Sequence, residues 1–139
     1  MIFCNLKGGL CNMLFQIAAV KSFAIDSNQD CSFPNLIDHY DVMDDDKIHI
    51  PNLKHSSEYH QIFKELNVIK PSINLPIINF PFHYTTIDKP DGDYIIDGFF
   101  QSEKYFKHNR DNILDFIKMP KVVDETIKTK YSDLLSVRT

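Results

Sequence analysis

The sequence lacks the features that mark nucleic-acid-binding and membrane proteins. It carries 15 lysines and arginines against 19 acidic residues, a net charge of −4, and it has no basic cluster. The positive patch that binds a phosphate backbone is therefore missing. No run of about 18 apolar residues occurs, and residues 1–6 do not combine a basic region with a long apolar stretch. We therefore expect a soluble, cytoplasmic protein with no membrane span and no nucleic-acid partner.

Signs of a disulfide framework or a metal site are also sparse. The three cysteines, Cys4, Cys11 and Cys31, form no C-x-x-C pair and leave an odd one, which favours free thiols. The six histidines are scattered without the spacing of a zinc site. Asp44-x-Asp46 matches a metal-binding D-x-D pattern, but such pairs are common in solvated acidic loops. We expect neither a metal nor a cofactor.

The sequence does contain enough apolar material for one folded domain. Of its 139 residues 43% are hydrophobic, with 11 phenylalanines and 6 tyrosines. The proline-rich stretch 71–90 is dense in apolar residues, so it is expected to pack as extended chain rather than link two domains. The predicted organisation is a single α/β domain over 1–139.

A strand, a turn and a helix open the chain. Apolar residues fill most of 1–6, Gly8 and Gly9 follow, and apolar residues recur with helical period over 14–26. Residues 31–33 form a second predicted strand, so a βαβ unit spans about 33 residues. Such a unit implies parallel pairing. The predicted fold is a Rossmann-like parallel sheet with flanking helices.

The turn at Gly8 and Gly9 is the leading candidate binding element. Glycine permits a positive φ and lets another group approach the backbone. The first N–H groups of the following helix lack intrahelical partners, which favours an anion such as a phosphate. Neither G-x-G-x-x-G nor G-x-x-x-x-G-K-[ST] is present, so a βα turn without a ligand is the alternative. Asn12 is placed either to cap the helix or to point into a cleft.

Apolar periodicity also predicts four later elements: a helix over 58–67, a strand over 94–97, and helices over 109–117 and 122–135. Ligands of parallel sheets bind at the carboxyl ends of strands. After the strand 94–97, Gln101 is placed to hydrogen-bond a sugar or nucleotide, and Phe99 or Phe100 to stack on a ring. Alternatively, the rings belong to the core and Ser102 caps a short helix.

Two segments resemble the α-1,2-fucosyltransferase family, glycosyltransferase family 11. Residues 8–16, GGLCNMLFQ, resemble the family's N-terminal GGLGNQLFQ signature, which also follows a first strand. Residues 97–106, DGFFQSEKYF, resemble its GYFQSEKYF segment. Two motifs in the right order are more specific than either alone. The resemblance spans nearly the whole chain, with a loosely matched middle.

The resemblance implies a fold and a reaction. The fold is the N-terminal, acceptor-side half of a GT-B glycosyltransferase, and the reaction is fucosyl transfer from GDP-fucose to a galactoside hydroxyl, with no further cofactor. Lacking the anchor of Golgi-resident animal relatives, the chain resembles the bacterial or viral sort. The expected substrate-binding residues are Gly8, Gly9, Leu10, Asn12 and Gln101, with Asn12 facing the donor. No catalytic residue is identified.

The sequence also departs from the family pattern. Cys11 replaces a glycine and would be strained if that position required a positive φ, and Met13 replaces a glutamine. The family's H-x-R-R-G-D-Y segment, whose arginine holds the donor diphosphate, does not occur. We therefore expect the donor-binding domain to be absent and the chain to be inactive alone, as a fragment, a split gene or a degraded copy.

Two functions from different classes remain open. In the first, the chain is half of a fucosyltransferase-like enzyme, and Asp97 is the best carboxylate for a general base, unless it only structures a turn. In the second, it is a non-catalytic α/β domain that binds a glycan, a nucleotide or a partner. An exposed aromatic patch including Phe99 or Phe100 is expected to favour a complementing domain or self-association.

Overall fold

The chain builds a parallel sheet from four short strands within the residues that the computed structural model describes, 1–39, 65–117 and 121–137. The strands are β1 (Ile2–Phe3), β2 (Cys31–Ser32), β3 (Ile77–Asn79) and β4 (Tyr94–Asp97). Their order is β2-β1-β4-β3, and every pair is parallel. Ile2 lies opposite both Cys31 and Tyr94, so β1 is a central strand. The predicted α/β class is confirmed, although β1 is shorter than the run 1–6.

Helix α1 (Leu10–Ser27) connects β1 to β2 and completes the βαβ unit. Its buried apolar residues recur at helical spacing: Met13, Ile17, Val20, Phe23 and Ala24. The helix ends at Asn28, which adopts the left-handed conformation (φ 52°) and donates its N–H to the carbonyls of Ala24 and Ile25. The helix begins four residues before the predicted start, because the chain enters it directly from the glycine turn.

The core lies between α1 and one face of the sheet. Alternate residues of the central strands and their extensions point into it and are fully or almost fully buried: Ile2, Cys4, Tyr94 and Ile96. Beyond the carboxyl ends of β3 and β4, four rings contact one another with centroid separations of 4.9 to 6.0 Å: Phe23, Phe80, Phe100 and Tyr105. This aromatic cluster attaches the later part of the chain to α1.

Parts of the stretch 71–90 contact the rest of the domain, although most of its residues are exposed. They contribute β3, and Phe80 lies in the aromatic cluster. Farther along, the backbone N–H of Thr85 donates to the Tyr105 hydroxyl at 3.1 Å, and the Tyr84 and Tyr105 rings are 4.8 Å apart. The prolines therefore punctuate packed chain rather than a linker.

The C-terminal part is helical. Three helices follow two 3-10 turns: α2 (Arg110–Phe116), α3 (Lys121–Lys130) and α4 (Ser132–Ser136). The prediction of one helix over 122–135 was wrong, because the helix breaks at Tyr131 (φ −119°, ψ 27°). The helix expected over 58–67 and the pair Asp44-x-Asp46 lie wholly or mostly outside the described residues.

The cysteines are free. Cys4 and Cys31 are buried and Cys11 is exposed. Burial raises the pKa of the Cys4 thiol to about 12, and the nearby Asp97 carboxylate adds to the shift, so Cys4 stays protonated at neutral pH. The described part of the chain contains no cluster of three His, Cys, Asp or Glu that would hold a metal ion. It likewise contains no helix both long and apolar enough to cross a bilayer.

Candidate ligand-binding site at the carboxyl ends of the strands

The turn between β1 and α1 has the geometry that its glycines allow. Gly8 has φ +81°, and a Cβ there would lie 2.7 Å from the Asn12 amide nitrogen, so both backbone and packing require glycine. Gly9 is the N-cap and provides no side-chain cap, and the first turn of α1 has no acidic residue. Cys11 lies inside the helix and does not have a positive φ, so the strain considered for it does not arise.

Gln16 holds this turn in place from inside the core. Its side chain is completely buried. Its Oε1 accepts the Lys7 backbone N–H at 3.1 Å, and its Nε2 donates to the Lys7 carbonyl at 2.7 Å and to the Asn12 carbonyl at 3.0 Å. Since the turn leaves the Lys7 backbone without a strand partner, this amide replaces the missing ladder bonds.

Asn35 likewise provides hydrogen-bond partners for the backbone of Leu6, the residue before Lys7. Its Oδ1 accepts the Leu6 N–H at 2.9 Å, and its Nδ2 donates to the Leu6 carbonyl at 2.6 Å. Beyond the last residue of β1 that pairs with a neighbouring strand, side-chain amides therefore provide the hydrogen-bond partners of the backbone. The chain reaches Gly8 in a fixed direction because Gln16 and Asn35 hold consecutive residues, Leu6 and Lys7.

The structure joins two predicted site residues that lie far apart in the sequence. Gln101 Nε2 donates to Asn12 Oδ1 at 2.6 Å, across 89 positions of sequence. Asn12 does not cap the helix, because Gly9 is the N-cap and no side-chain cap bond forms. Gly8 and Gly9 form the turn next to Asn12, and Leu10 begins α1, so all five predicted site residues belong to one region.

A second contact joins the same two segments. Lys7 Nζ lies 2.5 Å from Asp97 Oδ1, at the end of β4, and 4.6 Å from the centroid of the Phe99 ring. Both the Lys7 and Asp97 side chains are about half exposed. The Asp97 carboxylate, which the sequence analysis considered as a general base, is therefore paired with the Lys7 ammonium at the carboxyl ends of the strands.

Residues 98–102 turn sharply after β4. One of their two phenylalanines belongs to the core and the other is partly exposed, so each of the two interpretations of this segment holds for one ring. Phe100 is buried in the aromatic cluster at the uncommon φ of +54°, whereas Phe99 is partly exposed beside Lys7. Ser102 caps the following 3-10 turn by accepting the Lys104 N–H at 3.3 Å. Of the two rings considered for an exposed patch, Phe99 is partly exposed and Phe100 is buried. At Gly98 a Cβ would lie 2.9 Å from that of Phe80, so only glycine fits.

Several residues of the site had no assigned role in the sequence analysis. Gln16 and Lys7 lie inside or next to the GGLCNMLFQ segment, and their proximity to the glycine pair was the available signal. Asn35, which holds Leu6, and Asn79 and Phe82, which line a small cleft together with Lys7 and Asp97, come from other segments and had no such signal. They join the site only because parallel strands bring their carboxyl ends to one edge.

A Ser, His and Asp cluster elsewhere is structural. Asp26 Oδ2 and Ser22 Oγ both approach His108 Nε2, at 2.8 and 3.5 Å. A relay for nucleophilic catalysis needs the carboxylate and the hydroxyl on opposite ring nitrogens. Ser22 is also fully buried and accepts a hydrogen bond from Asn109 at 2.8 Å. The cluster links α1 to residues 108–109.

Comparison with known proteins adds no assignment. The sequence matches no protein-family model, and neither curated proteins nor solved structures include a significant match.

Proposed function

We propose that this domain is the acceptor-side, N-terminal half of an α-1,2-fucosyltransferase-like protein of GT-B architecture. Its reaction would move a fucosyl group from GDP-fucose to a galactoside hydroxyl. The observation that carries the proposal is the hydrogen bond between Gln101 and Asn12. It unites the two segments that resemble the family, which lie far apart in the sequence.

Within this proposal the turn receives the donor's diphosphate. The N–H groups at the start of α1 have no intrahelical partners, and Gly9 at the N-cap has no side chain to cap them. An 18-residue helix presents partial positive charge there. Lys7 lies next to the turn, with its charge paired to that of Asp97. These groups favour the leaving diphosphate, whose stabilisation is a large part of such a reaction.

The proposal gives this chain only part of the catalytic machinery. The arginine segment that holds the diphosphate in the resembled family is not among these residues. Transfer is therefore expected only together with a complementing donor-binding domain, in the same or another polypeptide. Asp97 is assigned a positioning role, because one of its oxygens is already held by Lys7.

Calorimetric titration of GDP and GDP-fucose into the purified chain tests the donor site. We expect binding that Asn12→Ala weakens by about tenfold, the loss of a hydrogen bond to a charged group. Asn112→Ala makes the same change on an exposed face of α2 and should leave the affinity unchanged. Guanosine, which lacks the diphosphate, should bind more weakly than GDP.

Two outcomes would contradict this assignment. If GDP does not bind at millimolar concentration, the turn is not a nucleotide-sugar site. If Asn12→Ala and Asn112→Ala bind GDP equally well, the nucleotide lies elsewhere. Binding of a glycan by a chain that does not bind GDP would favour the second function, a non-catalytic binding domain.

A further inference from the structure

Phe82 is unusually exposed for a large aromatic residue. It retains 80% of its accessible surface, although burial of such a ring stabilises a fold substantially. Its ring is nevertheless held in a defined orientation. It stacks on Phe99 with a centroid distance of 5.5 Å and an angle of 11° between the planes. Pro81 precedes it and restricts the backbone. One face of an ordered ring is thus presented to solvent.

This ring borders a small cleft at the carboxyl ends of three neighbouring strands. The cleft has a volume of about 130 Å³. Six of its lining residues are Lys7, Asn79, Pro81, Phe82, Asp97 and Phe99. Asn79 and Asp97 are the last residues of β3 and β4 and lie directly opposite each other. Such an edge is where parallel sheets bind their ligands.

The size and chemistry of the cleft restrict its ligand. Pockets for drug-sized molecules measure roughly 300 to 1,000 Å³, so this cleft admits about one ring. Its polar groups are an amide, a carboxylate and an ammonium, so they both donate and accept hydrogen bonds. Because the Lys7 and Asp97 charges pair, the cleft has no net charge and gives no advantage to an anion. Hydroxyl groups, which both donate and accept, suit this set.

We propose that this cleft binds one uncharged sugar ring, which stacks its apolar face on Phe82 and directs hydroxyls to Asn79, Asp97 and Lys7. A pyranose has an apolar face of C–H groups and an edge of hydroxyls, which matches the aromatic ring and its polar neighbours. The assignment rests on the proposed function and deepens it, because it gives the acceptor saccharide a place distinct from the donor's turn.

The arrangement also explains the position of Lys7. Its ammonium lies between the Gly8 turn, where an anion is favoured, and the cleft, where a neutral ring is favoured. The ammonium pairs with Asp97 and so neutralises the charge of the cleft. It also lies 4.6 Å from the centroid of the Phe99 ring and helps to hold that ring, on which Phe82 stacks. The two ligands would therefore meet at Lys7.

The test uses methyl β-D-galactopyranoside as the probe, with binding followed by saturation-transfer and amide-shift NMR. We expect millimolar binding by the unchanged chain, about tenfold weaker binding by Phe82→Ala, and recovery with Phe82→Trp, whose ring is larger. Leu134→Ala, which removes a similarly exposed apolar side chain on α4, is the matched control and should bind normally. Galacturonate, the charged analogue, should not bind better than the neutral sugar.

The variants separate this inference from the donor assignment. Asn12→Ala should lose GDP but keep the sugar, and Phe82→Ala should keep GDP but lose the sugar. Equal sugar affinities of Phe82→Ala and the unchanged chain would overturn the proposal that the sugar stacks on Phe82. So would the absence of sugar binding by a chain whose amide spectrum shows that it is folded. If the chain binds the sugar but not GDP, the assignment of the sugar cleft is supported and the assignment of the donor site at the turn is contradicted.

Discussion

At the scale of single residues, a few buried amides and glycines determine the shape of the site. Gly8 and Gly98 are required by their surroundings, the first for its φ and the second for its contact with Phe80. Gln16 and Asn35 satisfy the backbone where the strand ladder has ended. A buried polar side chain is costly unless it is hydrogen-bonded, and Gln16 makes three such bonds.

The importance of Gln16 can be measured with a side chain of the same length. Gln16→Met should lower the free energy of unfolding by about 2 to 4 kcal/mol, because the Lys7 N–H and carbonyl lose their partner. Gln101→Met is the matched control on an exposed glutamine, and it should change stability by no more than about 0.5 kcal/mol. Urea denaturation gives both values. Equal effects would show that the buried amide does not hold the turn.

At the scale of elements, α1 organises the described structure from both of its ends. Its first turn lies at the candidate site, and its last turns hold residues 108–109 through Asp26. Burial opposes ionisation of Asp26, but hydrogen bonds from His108 and Asn109 outweigh it and lower the pKa of that carboxyl. The ionised carboxylate therefore favours the folded state.

This link predicts a dependence of stability on acid pH. Because the pKa of Asp26 is lower in the folded than in the unfolded state, its contribution is complete above the unfolded value, about 3.9. It is lost as the pH falls through the folded value. Asp26→Asn should therefore lower stability at pH 7 and make the loss in acid shallower, as measured by urea denaturation from neutral to acid pH. Asp111→Asn, a change to a fully exposed carboxylate, should leave the profile unaltered.

At the scale of the whole molecule, apolar side chains remain exposed along α3 and α4. They recur at helical spacing and include Ile127, Tyr131, Leu134 and Leu135. The segment 121–136 contains three lysines and three acidic residues, so it has no net charge, although the whole chain carries −4. Two copies of this segment would therefore meet without net repulsion, which favours self-association.

Sedimentation equilibrium tests this expectation. The weight-average mass of the chain should rise with concentration, and Leu134→Glu should shift the association to at least about tenfold higher concentration by placing a charge in the apolar stripe. Thr129→Glu adds the same charge off the stripe and serves as the control. A monomer at all concentrations would contradict self-association. A dimer that survives Leu134→Glu but not Phe82→Glu would move the contact to the aromatic pair of Phe82 and Phe99.

The sequence by itself determined the elements whose signals are local. The Gly8-Gly9 turn, helix α1 and strand β4 follow from glycine, from the helical period of apolar residues and from a short apolar run, and none needs a distant partner. The same signals determined the α/β class, because a βαβ unit implies parallel strands. Periodicity failed at Tyr131, since the residues around it are exposed and burial in the core does not keep the helix continuous.

Only the tertiary structure decided which residues share a site. Asn12 and Gln101 are 89 positions apart, and Lys7 and Asp97 are 90 apart, so no local pattern relates them. The strand order β2-β1-β4-β3 places the ends of β1, β4 and β3 side by side. The exposure of Phe82 and the burial of Phe100, two similar residues in similar loops, depend on which ring fits between Phe23 and Phe80. That is a matter of packing in three dimensions, which sequence spacing does not encode.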